Sequence, residues 1–333
     1  MTAMHALIPR WIFIASLFVA TAAVAAPAYK YSRIGNMQDI TTKTTAGYAL
    51  MGGGSDQDPA FKFLCDKSGG GDFLILTASD DKDFDDYNPY IQKLCKQNSV
   101  ATISVRSAEA ANDPFVAETI RKAEALFISG GDQANYVKFW KPSPMRAAMQ
   151  ELINRGVPVG GTSAGLAIMG EFGFAALNDS AYSEASLKDP FNDRITIDHG
   201  FLSIPHLENS ITDTHFKKRD RLGRTLVFMA RILQDGMAKQ VRAIGVDEKS
   251  AALMEADGSM TVVGAGSGAY FYRPTAPPGT CKASFPLTMK GIEVYRVPTG
   301  GSFNVASWSG SGGASYTLSV EDGVIRSTSG SKY

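Results

Sequence analysis

From residue 46 the apolar positions fall into short blocks broken by glycines, and the blocks alternate between two kinds. Residues 48–51, 72–78, 100–105, 125–128 and 157–160 are strand-length apolar runs, and 72–78 (DFLILTA) is uninterrupted, as expected of a strand covered on both faces. Between them, 58–67, 90–96, 114–122 and 144–155 read as helices, the first with Pro59 in its opening turn and Gly69-Gly70-Gly71 past its end. Strand–helix alternation of this length predicts an α/β fold with a doubly wound, mainly parallel sheet. Ligands of such sheets bind beyond the carboxyl ends of the strands. Three glycine-rich breaks, at 52–54, 130–131 and 160–165, each follow a strand and should gather on that edge.

The pattern changes after about residue 241. Residues 243–248, 251–255, 260–263 and 269–273 read as short strands, with Asp257-Gly258 as a hairpin turn. The Gly- and Ser-rich tail from Gly291 predicts closing hairpins, and 171–194 reads as a polar excursion over one face. A further strand is expected at 201–204 and a helix at 217–224. Ahead of all this, His5 and Arg10 precede an apolar stretch at 11–19 and the small-residue site Ala23-Val24-Ala25. That arrangement predicts a leader cleaved after Ala25 or Ala26 and an exported, periplasmic or extracellular protein without stable membrane association. A membrane anchor is the alternative, but the second half of the run is weakly hydrophobic and no basic stop-transfer cluster follows it. The chain then divides into a leader at 1–25, a lead-in at 26–45, a catalytic α/β domain at 46–273 and a β-rich extension at 274–333 packed on the same domain.

Composition narrows the function. The 333 residues are 44% hydrophobic and 20% charged, which suits a globular chain with a real core. Lys plus Arg equals Asp plus Glu at 33 each, leaving no cation surplus for nucleic acid. Cys65 and Cys95 end two predicted helices of neighbouring βα units and Cys281 stands apart. One disulfide with a free thiol and three buried free thiols both fit, and the spacing matches no common zinc motif. No metal and no cofactor is expected, and a homodimer stays open.

The chemistry centres on Gly161-Thr162-Ser163-Ala164-Gly165, a Gly-x-Ser-x-Gly elbow between a strand and the apolar stretch 166–169. A tight βα turn whose serine only caps the helix is the bland alternative. A serine at neutral pH needs a base, and after the leader the chain has only His199, His206 and His215. The first two sit beside Gly200 and Pro205, where turn or surface roles suffice. His215, in Thr212-Asp213-Thr214-His215-Phe216, is the candidate base, with a helix start expected at Asp213 or Thr214. Asp247 and Glu248 end a strand and point to opposite faces, so only one can orient the histidine. The order Ser, His, acid differs from the Ser, acid, His of α/β-hydrolases. Arg219, Arg221 and Arg224 follow the histidine; a solvated helix face is one reading, carboxylate recognition by their planar forks the other.

Taken in order, Gly130-Gly131-Asp132-Gln133, the serine elbow, Asp213-Thr214-His215-Phe216 with Arg219 and Arg221-Leu222-Gly223-Arg224, and Gly245-Val246-Asp247-Glu248 resemble the cyanophycinase and dipeptidase E group of serine peptidases. The fold of that group is similar to class I glutamine amidotransferases, and the resemblance covers about residues 48–273. It implies Ser163 as nucleophile, His215 as base and Glu248 as orienting acid. The oxyanion is then expected between the N–H groups of Ala164 and Gly131. It implies a substrate site of Gln133, Asp213, Thr214, Arg219, Arg221 and Arg224, and a peptide or polymer substrate such as cyanophycin, cut at β-aspartyl-arginine units. Thr214 departs from the glutamine of cyanophycinases, which points to related β-aspartyl or acidic peptides as a second expectation. A general aspartyl dipeptidase and a non-catalytic exported binding protein on the same fold are the alternatives.

Overall fold

The computed structural model describes residues 1–2, 26–79 and 81–333. Apart from its first two residues, the expected leader and its cleavage signal lie outside the described residues. The chain begins with β1 (Lys30–Gly35), β2 (Gly47–Met51), β3 (Asp72–Thr77), β4 (Ser99–Ser104), β5 (Ala125–Ile128) and β6 (Val159–Thr162), all in one sheet. It then founds a second sheet with β7 (Phe172–Phe174), β8 (Ile197–His199), β9 (Ser210–Asp213) and β10 (Arg242–Val246). The remainder commutes between the two. β11 (Ser250–Glu255), β12 (Ser259–Gly264), β15 (Ser302–Asn304) and β16 (Ser309–Ser311) extend the first sheet. β13 (Ala269–Pro274), β14 (Met289–Val297), β17 (Ala314–Glu321) and β18 (Val324–Ser327) extend the second.

Among the described residues the first sheet has ten strands, ordered β1-β4-β3-β5-β6-β2-β11-β12-β15-β16, and the second eight, ordered β18-β17-β14-β13-β10-β9-β7-β8. The parallel α/β core is the run β4-β3-β5-β6-β2. Its apolar strands are covered on both faces, as their unbroken hydrophobicity requires. Along β3, Leu74 and Leu76 pack with residues of the helices Pro114–Lys122 and Pro144–Asn154. Phe73 and Ile75 pack with those of the helices Asp58–Lys67 and Tyr87–Cys95. Each such fully buried side chain contributes about 1.5–3 kcal/mol of transfer free energy. The second sheet shares the first of these cores through Ile244, Val246 and Phe271, and its other face packs on the helix Leu222–Gln234.

Register gathers the glycine breaks as expected: Met51 lies opposite Thr162 and Ile128 opposite Gly161, so the loops after β2, β5 and β6 leave one edge together. Cys65 and Cys95 form a disulfide that ties the helices Asp58–Lys67 and Tyr87–Cys95, with Cα atoms 6.0 Å apart. Cys281 is a free, buried thiol whose burial pushes it up to about 11. Among the described residues no helix is long and apolar enough to cross a membrane.

Several elements differ from expectation. The lead-in contributes β1, an edge strand antiparallel to β4. Residues 201–204 form no strand, and β6 runs to Thr162. The excursion at 171–194 carries β7 and the short helix Ser183–Lys188. Residues 217–224 are not a helix: His215 at φ 46° and Asp220 at φ 47° break the helical path, and the helix starts only at Leu222. Asp213 therefore ends a strand and caps nothing.

Candidate active site

β6 delivers Ser163 into a backbone conformation, φ 52° and ψ −117°, that an L-residue holds only under constraint from its surroundings. The turn is as tight as the elbow motif predicts: a Cβ on Gly165 would lie 2.1 Å from the carbonyl oxygen of Ile128. The Ser163 N–H donates to the Met51 carbonyl at 3.2 Å, which clips the elbow to the end of β2. Ser163 Oγ then lies 2.7 Å from Nε2 of His215, and His215 Nδ1 lies 2.7 Å from Oε1 of Glu248.

The three groups come from the ends of β6, β9 and β10, and the loop after β2 is the wedge between them. His215 donates its N–H to the Gly52 carbonyl at 2.7 Å, and Lys249 donates to the Gly53 carbonyl at 2.9 Å. The imidazole packs against Gly53, where a Cβ would sit 2.4 Å from Cε1 and where φ is +93°. Only glycine satisfies both demands. The sequence placed this glycine run at the site edge, but nothing local says that it seats the histidine.

Asp247 and Glu248 point apart as expected, but both lie past the end of β10, which stops at Val246, and Glu248 is in the turn that follows. Asp247, buried, accepts the N–H groups of Lys217 and Lys218 at 3.0 and 2.9 Å and so folds the coil after the base. Glu248 faces the imidazole. Its bond to His215 holds the carboxyl below its ordinary value, and Arg219, 3.5 Å away, acts in the same direction. Burial pushes the His215 imidazole below its ordinary 6.5; Glu248 opposes this, while Arg219 and Arg221 reinforce it. The ring is therefore neutral and able to accept a proton at neutral pH.

The expected substrate residues separate into two groups. Beside the elbow lies a pocket of about 350 Å³ lined by Gly131, Gln133, Lys138, Phe174, Arg221 and Arg224 among others. Gln133 and Arg221 both line it. Arg224 is a correction: it is 2% exposed, and its Nε and an Nη bond both carboxylate oxygens of Asp213 at 2.8 and 2.5 Å. Its other Nη donates to the Ala181 carbonyl at 3.3 Å, so the Nε side of the guanidinium is committed to Asp213 and cannot receive a ligand carboxylate. Asp213 is equally committed, because Thr225 and the Thr214 N–H also bond it at 2.8 Å. Its burial alone would raise the carboxyl, but Arg224 and Arg221 hold it below its usual range. Thr214 is buried too, and its hydroxyl and carbonyl accept from Arg221 at 2.9 and 3.1 Å rather than facing the pocket. Burial and neighbouring Arg224 bring Arg221 down to about 10, so it stays cationic near neutrality. Arg219 is half exposed beside Glu248. Lys138, exposed on the pocket wall, went unnoticed in the sequence because one lysine after a glycine loop carries no pattern.

His199 bonds Glu171 at 3.0 Å and His206 bonds the Ala256 carbonyl at 3.1 Å, in the surface roles expected of them. No cluster of three His, Cys, Asp or Glu side chains among the described residues is placed to hold a metal ion.

A hydroxyl on a strained elbow, in line with an imidazole and a carboxylate above an α/β sheet, defines the class: this is the layout of a serine hydrolase. Within that class the chain belongs to peptidase family S51, whose model matches residues 22–226. It is similar to the cyanophycinase of Trichormus variabilis, with 27% identity over 211 residues, 62% of this chain and 65% of that protein. It is also similar to the cyanophycinase of Synechococcus elongatus, with 26% identity over 226 residues, 65% of each chain. The chain thus matches just under two thirds of the length of these relatives. Among solved structures, a peptidase from an acI-B1 Actinobacterium aligns with a TM-score of 0.49 at 16% identity, over 72% of this chain and 98% of that one.

Proposed function

We propose that the protein is an exported serine peptidase of cyanophycinase type that hydrolyses β-aspartyl-arginine isopeptide bonds through an acyl-enzyme. The observation that carries this is the unbroken path Ser163–His215–Glu248, with both links at 2.7 Å. In this reading Ser163 Oγ attacks the side-chain carbonyl of the aspartyl unit as His215 takes its proton. His215 then passes that proton to the departing amine, and water releases the acyl group by the same route. Glu248 holds the tautomer and stabilises the imidazolium. For the oxyanion, Ala164 opens the helix after the elbow, where an N–H has no partner within the helix. The Gly130 carbonyl is held by the Tyr136 hydroxyl at 3.0 Å, and the planar peptide turns the Gly131 N–H the opposite way.

Arg221, with Arg219 at the rim, supplies the positive charge for the substrate carboxylate, and Gln133 an amide for its polar part. The Cys65–Cys95 disulfide supports an oxidising compartment and hence export. The buried Thr214 favours a second reading, in which other β-aspartyl or acidic peptides are cut, because no amide reaches the pocket from that position. Incubating the mature protein with cyanophycin, β-Asp-Arg and α-linked Asp dipeptides, and resolving products by mass, tests the proposal. Release of β-Asp-Arg from the polymer is expected; cleavage of α-linked dipeptides alone would overturn it.

The acid limb of the kcat/KM profile should lie below pH 6.5, since the neutral imidazole is required and its proton affinity is depressed. Activity is lost as pH falls through the lowered value of the imidazole. In Glu248→Gln the limb should move to still lower pH, because the group that raises the imidazole is gone. The plateau should drop about 10³–10⁴-fold. Asp247→Asn should leave the limb in place and reduce thermal stability, since its oxygen bonds only the 217–218 backbone and not the base. A shifted limb in the Asp247 variant would reverse the two roles.

A further inference from the structure

The coil 215–221 carries both the base and two arginines of the proposed site, and its two halves are fastened by different means. The first half is pinned by Gly52, which accepts the His215 N–H, and by Asp247, which accepts those of Lys217 and Lys218. The second half is held locally only by the coil's own backbone, the N–H groups of Arg219, Asp220 and Arg221 donating to the carbonyls of His215, Lys217 and Phe216 at 2.9, 3.1 and 2.9 Å, and by Arg221 on Thr214. Asp220 sits at φ 47°, and the helix that starts at Leu222 has Arg221 at its cap position, whose side chain caps nothing. The orphan N–H groups of that helix must be satisfied from elsewhere.

Tyr333, far outside the segment matched by the family model, does so. Its hydroxyl accepts the Leu222 N–H at 3.2 Å and donates to Asp220 Oδ1 at 2.8 Å, with the Phe216 carbonyl a longer second acceptor at 3.5 Å. Lys332 pairs with the same carboxylate oxygen at 2.7 Å. The Tyr333 ring meets Phe216 and Tyr270 edge-on, with centroids 5.9 and 5.8 Å apart. Ser183 completes the cap by accepting the Arg224 N–H at 3.2 Å while donating to the Asp220 carbonyl. One phenol thus bridges the side chain just before Arg221 and the amide just after it. Burial keeps its proton on well above the ordinary value of 10, so the donor persists across the working range.

We infer that Tyr333 is a positioning residue for substrate recognition: capping the helix at Leu222 and tethering Asp220, it holds Arg219 and Arg221 where an anionic substrate group meets them. The inference rests on the proposed peptidase site. It assigns Tyr333 to binding and not to proton transfer, because the half of the coil bearing His215 has its own anchors.

The test is Tyr333→Phe, which keeps the ring and its contact with Phe216 and removes the hydroxyl's hydrogen bonds. KM for β-Asp-Arg should rise about five- to tenfold, the effect of losing a bond of ordinary strength, with kcat within about twofold of wild type. Inactivation by diisopropyl fluorophosphate, which has no carboxylate, should proceed at the wild-type rate. Amide hydrogen exchange across 219–223 should accelerate while 215–218 stays protected. Equal falls in kcat and inactivation rate at constant KM would mean general loosening and overturn the inference, as would unchanged exchange at 219–223. A wild-type protein inert to the fluorophosphate would refute the peptidase reading instead, leaving hydrogen exchange to decide the tether.

Discussion

Ser163→Ala removes turnover, by about 10⁴–10⁶ in kcat, and leaves the fold intact. The hydroxyl is the only atom lost, and alanine keeps the Cβ that already fits the elbow. The positive φ of Ser163 is imposed by the clip to Met51 and the tight approach of Gly165 to Ile128, none of which involves Oγ. The variant should therefore retain its circular dichroism and denaturation midpoint and still bind substrate, while losing all labelling by a serine-directed phosphonate. His215 loses one neighbour but keeps Glu248, so the imidazole stays oriented with nothing to deprotonate. Activity above a tenth of wild type would place the nucleophile elsewhere.

Arg224→Met should destabilise the protein by about 3–5 kcal/mol, the range found when one partner of a buried ion pair is removed. The cause is Asp213, which is 2% exposed and would lose its bidentate partner while remaining ionised or taking up a proton at some cost. The double variant Asp213→Asn with Arg224→Met should recover part of the loss, because that ion pair is removed whole, while Arg221 loses the Asp213 carboxylate 3.6 Å away. Urea unfolding at a constant m-value measures both. If Arg224 instead served as a ligand for substrate, the single variant would raise KM and leave the midpoint unchanged. That outcome would restore the three-arginine wall read from the sequence.

That reading shows where sequence reasoning stops. The parallel core was legible because strands buried on both faces have no polar positions to hide them, as in DFLILTA. The elbow was legible because its glycines are demanded by local backbone contact, and the Asp247–Glu248 choice narrowed because neighbouring side chains diverge, although both residues lie just past the end of β10. Lys217 to Arg224 read as a helix because lysine, arginine and leucine favour one. What breaks it is positive φ at His215 and Asp220, imposed by the Gly52 carbonyl, Asp247 and Tyr333 from distant parts of the chain. The Asp213–Arg224 pair looked like two free ligands, since a spacing of eleven residues says nothing about which side chains meet. β1 was missed because an edge strand that is half exposed carries too weak an apolar signal to stand out from a lead-in. The second sheet escaped because its pairing partners come from segments far apart, as where β9 pairs β7 and β10, and no local pattern names them.

The nucleophile hangs from one sheet, the base and its acid from the other, and a loop of three glycines is all that lies between. Such a site is a seam. It is closed by the His215 and Lys249 N–H bonds to the Gly52 and Gly53 carbonyls, and if these gave by an ångström Oγ and Nε2 would no longer share a proton. Catalytic competence in this molecule is therefore a gauge of how the layers dock, and anything that wedges or slides them acts as an inhibitor without ever touching the pocket.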